Sequence, residues 1–370
     1  MKYFFTDCEG PLTKNDNAYE LTAHFIPQGE KLFRQLSVYD DILAYLVKKP
    51  GYNAGGTLKL ILPFFKACDL DDKKIEKFSE KNFVLVPGVI ETLKFLKKRM
   101  PCFVVSTSYR PYIHALCKLF DFPEKNTSAT EMSLDRLEIG ESEKRKLKGY
   151  AKEIVNSPDL DLLPGVKKFS QLSQRTRDAV KRLNEIFWEE MPNLKSGWFL
   201  QAVRPVGGKE KAEAILSRLG RKKELIRNVV YIGDSITDQG AFKLVKENGG
   251  LTISFNGNRY AVEQVEVAVI SSSAYVLGFL GALFAHLEKN KVLELCKKWT
   301  PSPFPASGPR KAWPPGLSAS APSPLRGRGR RRGGQTAEVF LVREKNKEGV
   351  IKESETFRKK FRGVKIGKLG

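Results

Sequence analysis

The chain has 370 residues, 41% of them hydrophobic, and a formal net charge of +22, enough length and apolar content for one large folded domain with insertions or for two domains. Its five cysteines (Cys8, Cys68, Cys102, Cys117 and Cys296) form no CxxC pair and, with only three histidines, no cluster at zinc spacing, which argues against a disulfide framework or a zinc site. The basicity is mostly a property of the tail: from Pro301 onward 17 Lys/Arg face 5 Asp/Glu, a net +12 of the total, so a nucleic-acid reading of the whole chain is weakened.

In chain order, Tyr3-Phe4-Phe5-Thr6 is a short apolar run that ends abruptly in Asp7-Cys8-Glu9-Gly10. Such runs read as buried strands of a parallel sheet, whose C-terminal ends collect ligands. No basic region followed by a long apolar segment precedes it, so no signal peptide is expected and cytoplasmic residence is the expectation. Apolar residues at three- and four-residue spacings over 19–82 predict a small helical insert. A turn at Val86-Pro87-Gly88 leads into a helix over 89–99, and residues 102–108 predict a second buried strand that ends in hydroxyls. A helix over 111–120, a weak strand near 127–132 and a mostly helical stretch over 142–191 follow. A helix from Gly208, with Ala212, Ile215, Leu216 and Leu219 on one face, precedes the run Val229-Val230-Tyr231-Ile232-Gly233-Asp234-Ser235-Ile236-Thr237-Asp238. A last strand is expected over 251–255. The apolar run 274–287 is shorter than the roughly 20 residues that cross a bilayer, so it reads as a buried helix.

Residues 301–335 are rich in Pro, Ser, Gly and Arg, include Gly327-Arg328-Gly329-Arg330-Arg331-Arg332-Gly333, and cannot assemble a packed core. They are expected to be disordered. A tether for nucleic acid or an anionic surface is one reading, a solvated tail another, and an insertion or frame error a third. Amphipathic character resumes over 337–370. Strand and helix alternate throughout, so the expected architecture is α/β, a Rossmann-like parallel sheet with helices on both faces. Its core is expected to comprise 1–18, 83–125 and 200–298, with a helical cap insert at 19–82 and a second, mostly helical insert at 126–199.

The chemistry follows from the strand ends. In extended chain Asp7 and Glu9 point to one side, so one carboxylate can act as nucleophile while its neighbour handles protons. A strand that merely ends in solvated acids is the alternative. Asp234 and Asp238 follow a second strand end, and four carboxylates brought together would repel one another unless a hard cation such as Mg²⁺ joined them. Ser106, with Thr107 beside it, offers donors for a phosphoryl oxygen. A cation is also needed beside a phosphorylated carboxylate: Lys211 shares the inward face with Ile215, and Lys209 is the alternative. Arg34, Arg110 and Tyr112 are candidates for substrate contact.

Taken together, Asp7-Cys8-Glu9-Gly10, Val104-Val105-Ser106, Lys211 (or Lys209) and Gly233-Asp234-Ser235-Ile236-Thr237-Asp238 resemble the four motifs of the haloacid dehalogenase superfamily of Mg²⁺-dependent phosphoryl-transfer enzymes, in its phosphoserine phosphatase-like branch. The resemblance implies an aspartyl-phosphate on Asp7, Glu9 as general acid and base, Ser106 as phosphate binder, lysine as charge stabiliser, and metal held by Asp7, Glu9, Asp234 and Asp238. Glu9 stands where Asp is usual, as in relatives that pass the phosphoryl group to a hydroxyl acceptor. Lys14-Asn15-Asp16-Asn17-Ala18-Tyr19-Glu20, Ser37-Val38-Tyr39-Asp40-Asp41 and Ser254-Phe255-Asn256-Gly257-Asn258 are similar to an archaeal group sometimes labelled energy-converting hydrogenase A subunit R. That label implies a hydrogenase complex as a partner beside a small phosphorylated metabolite. No cysteine spacing indicates an iron–sulfur cluster.

Overall fold

The computed structural model describes residues 1–162, 166–299, 302–303 and 336–367. Its framework is a single sheet in the order β3-β2-β1-β4-β5-β6-β8-β7. The strands are β1 Tyr3–Thr6, β2 Cys102–Tyr109, β3 Thr127–Thr130, β4 Val229–Gly233, β5 Leu251–Phe255, β6 Val267–Ser271, β7 Ser302–Pro303 and β8 Thr336–Leu341. The first six run parallel, and β8 pairs antiparallel with β6. Alternate side chains of the central strands enter different cores. Phe4, Val230 and Ile232 pack on one side, and Phe5 and Tyr231 on the other. Both faces are therefore covered by helices, which is why β1 and β4 read as unbroken apolar runs rather than as alternating ones.

Three features differ from the sequence expectation. The strand over 251–255 is not the last, because β6 continues the parallel set. The weak strand near 127–132 is shorter and lies at the sheet edge. The sheet is also not wholly parallel: β8, drawn from the amphipathic segment 337–370, lies along β6 and covers what would be an open edge. The helix Lys347–Arg362 that follows β8 buries Val350 and Ile351 against Val262 and Ala268. The stretch 300–336, expected to be disordered, lies outside the described residues except for 302–303 and 336.

Helices Asn17–Phe25, Gly29–Asp41, Thr57–Ala67 and Asp72–Lys81 share one apolar core with Glu141–Asn156 and Gln174–Asn184. The two inserted regions thus pack on each other above the sheet. Polar contacts fix their register: Tyr39 donates to Asn184 Oδ1 at 2.7 Å, and the Trp188 indole donates to the Tyr39 hydroxyl at 2.8 Å. Among the described residues no helix is long and apolar enough to cross a membrane.

Candidate active site

The strand order reverses direction between β1 and β4, and in open α/β sheets ligands bind beyond the strand ends at such a switch point. Asp7 and Asp234 are the residues that leave those two strands. The Asp7 amide still donates to Ile232 O of β4 at 2.8 Å, so the two chain ends remain tied side by side. Gly10 then turns the chain at φ +102°, and a Cβ there would lie 2.2 Å from Asp234 Oδ2. Glycine is required twice over, for its backbone conformation and for the approach of the two loops.

Lys211 is the centre of the arrangement. It lies on helix Lys209–Arg218, one turn before the buried Ile215, and Gly208 at the helix start donates to Thr237 O at 2.8 Å, which ties the helix to the β4 loop. The fully buried ammonium sits 2.7 Å from Asp7 Oδ2 and 2.7 Å from Asp238 Oδ1. Asp238 is satisfied on both oxygens: Oδ1 also accepts from the Tyr231 hydroxyl at 2.6 Å, and Oδ2 from the amides of Asp234 and Ser235 at 2.9 and 3.0 Å. It thereby holds the lysine and ties down the loop. Burial opposes the charge on Lys211, but Asp238 and Asp7 outweigh it and hold its pKa above the ordinary range. Burial pushes the Asp7 carboxyl up to about 7, with Lys211 pulling down and Asp238 and Asp234 adding to the rise. Lys209 is exposed at the start of the same helix.

Asp234 is engaged from elsewhere. Its Oδ2 accepts from Arg358 Nη1 and, at 2.8 Å, from Arg362 Nη1. Arg362 also donates to the carbonyls of Lys14 and Asn15, at 3.0 and 2.6 Å. These arginines come from helix Lys347–Arg362 and were not singled out in the sequence, where a basic residue on a charged helix reads as solvated. A signal existed: Ile351, Ser354 and Arg358 follow at helical spacing, so Arg358 falls on the buried stripe.

Asp7, Glu9, Asp234, Arg358 and Arg362 line one pocket, closed on the insert side by Phe33, Asp40, Asp41 and Leu58, with Asp16 and Thr107 also on its wall. Glu9 Oε1 accepts from the Asn17 amide at 2.8 Å. Burial, and then Asp16 beside it, push the Glu9 carboxyl well above its ordinary range. Ser106 Oγ accepts from the Ser108 amide and donates to the Ser108 hydroxyl, both at 3.1 Å, while Thr107 donates to Val206 O at 3.0 Å. Arg110 pairs with Glu131 and Tyr112 donates to Thr13 Oγ1, so both are engaged structurally. Arg34 is exposed.

Among the described residues, Asp7, Asp234 and Asp238 are the group whose oxygens converge, within 4.8 Å of one another, and Glu9 is not part of it. Hard oxygens of this kind suit Mg²⁺, which binds through one or two carboxylates and completes its shell with water and phosphate. Both oxygens of Asp238 are engaged, and so are both of Asp7, whose Oδ1 accepts from the Cys8 amide at 2.7 Å and whose Oδ2 meets Lys211, so Asp7, Asp234 and Asp238 together are the acids that could hold such an ion at the pocket floor. The carboxylate donors fit such an ion, while two guanidinium groups already hold Asp234 Oδ2.

Neither a family model nor a curated protein matches the chain. Among solved structures it is similar to a gene product of Archaeoglobus fulgidus, 25% identical with a TM-score of 0.77, the match covering 100% of this chain and 99% of that one. The apo form of a phosphoserine phosphatase is 14% identical with a TM-score of 0.36, covering 72% of this chain and 92% of that one.

Proposed function

We propose that the chain is a Mg²⁺-dependent phosphoryl-transfer enzyme of the haloacid dehalogenase type, a phosphatase of a small phosphorylated metabolite that works through an aspartyl-phosphate on Asp7. The observation that carries this reading is Lys211, buried between Asp7 and Asp238 at the switch point. A fully buried lysine shared by two carboxylates has no need to be there for folding, since apolar residues fill such volumes at least as stably. It does serve a carboxylate that must carry a second negative group.

In this reading 1–18, 83–125 and 200–298 form the catalytic core, 19–82 the cap and 126–199 a second insert that supports it. A carboxylate oxygen of Asp7 attacks phosphorus and the bond to the leaving oxygen breaks. Glu9, kept protonated by its buried setting, gives its proton to that oxygen. Ionised Glu9 then takes a proton from the water that cleaves the aspartyl-phosphate and releases inorganic phosphate. Lys211 stays charged beside Asp7 throughout and offsets the growing negative charge. Ser106 and Thr107 would donate to phosphoryl oxygens by exchanging their contacts with Ser108 and Val206 O for the substrate. Mg²⁺ held by Asp7, Asp234 and Asp238 would neutralise charge on the transferred group. The insert residues Phe33, Asp40, Asp41 and Leu58 face the same pocket, so the cap selects the substrate.

A screen of phosphometabolites with Mg²⁺, with and without an added hydroxyl acceptor, tests this. Phosphate release that Asp7→Asn lowers about a thousandfold or more supports the reading, and phosphate appearing on the acceptor instead identifies a phosphotransferase. The arginines on Asp234 favour a second reading, a non-catalytic accessory subunit, and the sequence resemblance would place it in an energy-converting hydrogenase complex. No turnover across the panel, with stable co-purification of hydrogenase subunits, supports that one.

A further inference from the structure

Helix Lys347–Arg362 has no part in the chemistry above, yet it reaches the floor of the same pocket. Arg358 is only 2% exposed, and arginine is almost never buried unless it is paired. Its place is built. Ser354 Oγ, one turn earlier, donates to Gly257 O at 2.6 Å, Glu355 Oε1 accepts from the Arg259 amide at 3.0 Å, and Arg362 holds the carbonyls of Lys14 and Asn15. The helix is thereby fixed on both the β1 loop and the β5 end, with two guanidinium groups aimed at one carboxylate oxygen.

The charges at the floor are matched by the protein alone. Asp7, Asp234 and Asp238 converge, and Lys211, Arg358 and Arg362 contact them. The neutralising work that clustered carboxylates otherwise leave to a metal is already done, and on the Asp234 side it is done by side chains from a remote segment. A cation that binds Asp234 must share or displace that pair. Arg358 has somewhere to stay when it yields the carboxylate, because Nη1 also reaches the main-chain oxygens of Asp234 and Asn256, at 3.2 and 3.4 Å.

We propose that Arg358 and Arg362 compete with a divalent cation for Asp234, so that docking of the C-terminal helix sets the metal affinity of the site. The inference rests on the reading of Asp234 as a metal-holding carboxylate, and it concerns binding rather than turnover. The helix would therefore act as a brake on the site, released when metal is abundant or when another molecule takes up the arginines.

The test is Mn²⁺ binding to the full chain without substrate, followed by the electron paramagnetic resonance signal of free Mn²⁺. Arg362→Gln, whose amide nitrogen stands where Arg362 Nε donates to Lys14 O, is expected to bind Mn²⁺ about tenfold more tightly than the wild type, a difference of about 1.4 kcal/mol. Arg358→Lys, which keeps the charge but loses the planar fork, is expected to shift affinity in the same direction. If Arg358→Lys fails to fold, Arg362→Lys takes its place in the comparison. Added Mn²⁺ should also speed hydrogen exchange in residues 347–362 of the wild type. Equal binding by wild type and Arg362→Gln overturns the inference and leaves the metal site standing. Tighter binding by the Gln variant alone, with the Lys variants at the wild-type value, reveals only through-space charge and also overturns it. No Mn²⁺ binding to any variant removes both the inference and the metal-dependent reading.

Discussion

Lys211 and the Arg358–Arg362 pair both neutralise carboxylates at the ends of β1 and β4, but they arrive by different routes. Lys211 comes from the helix that immediately precedes β4, and it joins acids from two neighbouring strands. The arginines come from beyond β8, across the chain's basic stretch, and grip a single acid. A lysine is a compact point charge that can sit between two carboxylates, whereas the arginine fork also holds main-chain oxygens and so fastens a whole helix. The first arrangement therefore suits chemistry, and the second suits attachment.

That contrast can be broken by substitution. The largest effect is expected from Lys211→Met, which leaves Asp7 and Asp238 buried without their cation. Removing one member of a buried ion pair costs about 3–5 kcal/mol, so denaturant unfolding should show a loss of that order and turnover should vanish. Arg358→Met is expected to destabilise by about 2 kcal/mol, less than the lysine variant because Arg362 remains on Asp234, and urea unfolding decides between the two. Equal losses would mean that the arginine cluster bears as much of the site as the lysine does. Tyr231→Phe removes one of four hydrogen bonds to Asp238, and should cost about 1 kcal/mol while leaving Lys211 in place.

A pH series sharpens the arginine side. Asn15, whose carbonyl Arg362 holds, donates to both oxygens of Glu20 at 2.9 Å, and burial pushes the Glu20 carboxyl up to about 7 from its ordinary 4.5. The folded state thus binds this proton more tightly than the unfolded chain does. The stability it contributes is full below the ordinary value and is lost as pH rises through about 7. Tm should fall across that window, and Glu20→Gln should flatten the fall. A fall of the same size in the variant would assign it to other acids. The smallest effect is expected at Lys209→Ala, within about 0.5 kcal/mol of wild type, because that side chain is exposed.

The legible parts of the molecule were those where sequence distance and spatial distance agree. β1, β2, β4 and β5 show as apolar runs because both faces of each are buried, and the acids that end β1 and β4 mark the switch point. Spacing to Ile215 alone favours Lys211 over Lys209, and it is Lys211 that lies buried between two carboxylates. β6 is harder to read, because Val267-Ala268-Val269-Ile270 is as apolar as its neighbours but the flanking Glu266 and serines resemble the margin of a loop. β8 and the arginines were out of reach for another reason. Nothing in a charged helix says which carboxylate it will meet, and a strand that adds antiparallel to an edge obeys no crossover rule that could place it. Asp238 shows the limit within a motif: its position is readable, but the four hydrogen-bond donors that tie it to Lys211, Tyr231 and the loop are not.

The central claim is that Asp7 accepts a phosphoryl group. The most direct measurement is intact and peptide mass spectrometry of the protein after exposure to acetyl phosphate with Mg²⁺ and a rapid acid quench. One added phosphoryl group is expected on Asp7, absent from Asp7→Asn and accumulating when Glu9→Gln slows its hydrolysis. A phosphoryl group on another residue, or an Asp7→Asn protein that hydrolyses phosphomonoesters at the wild-type rate, would contradict it.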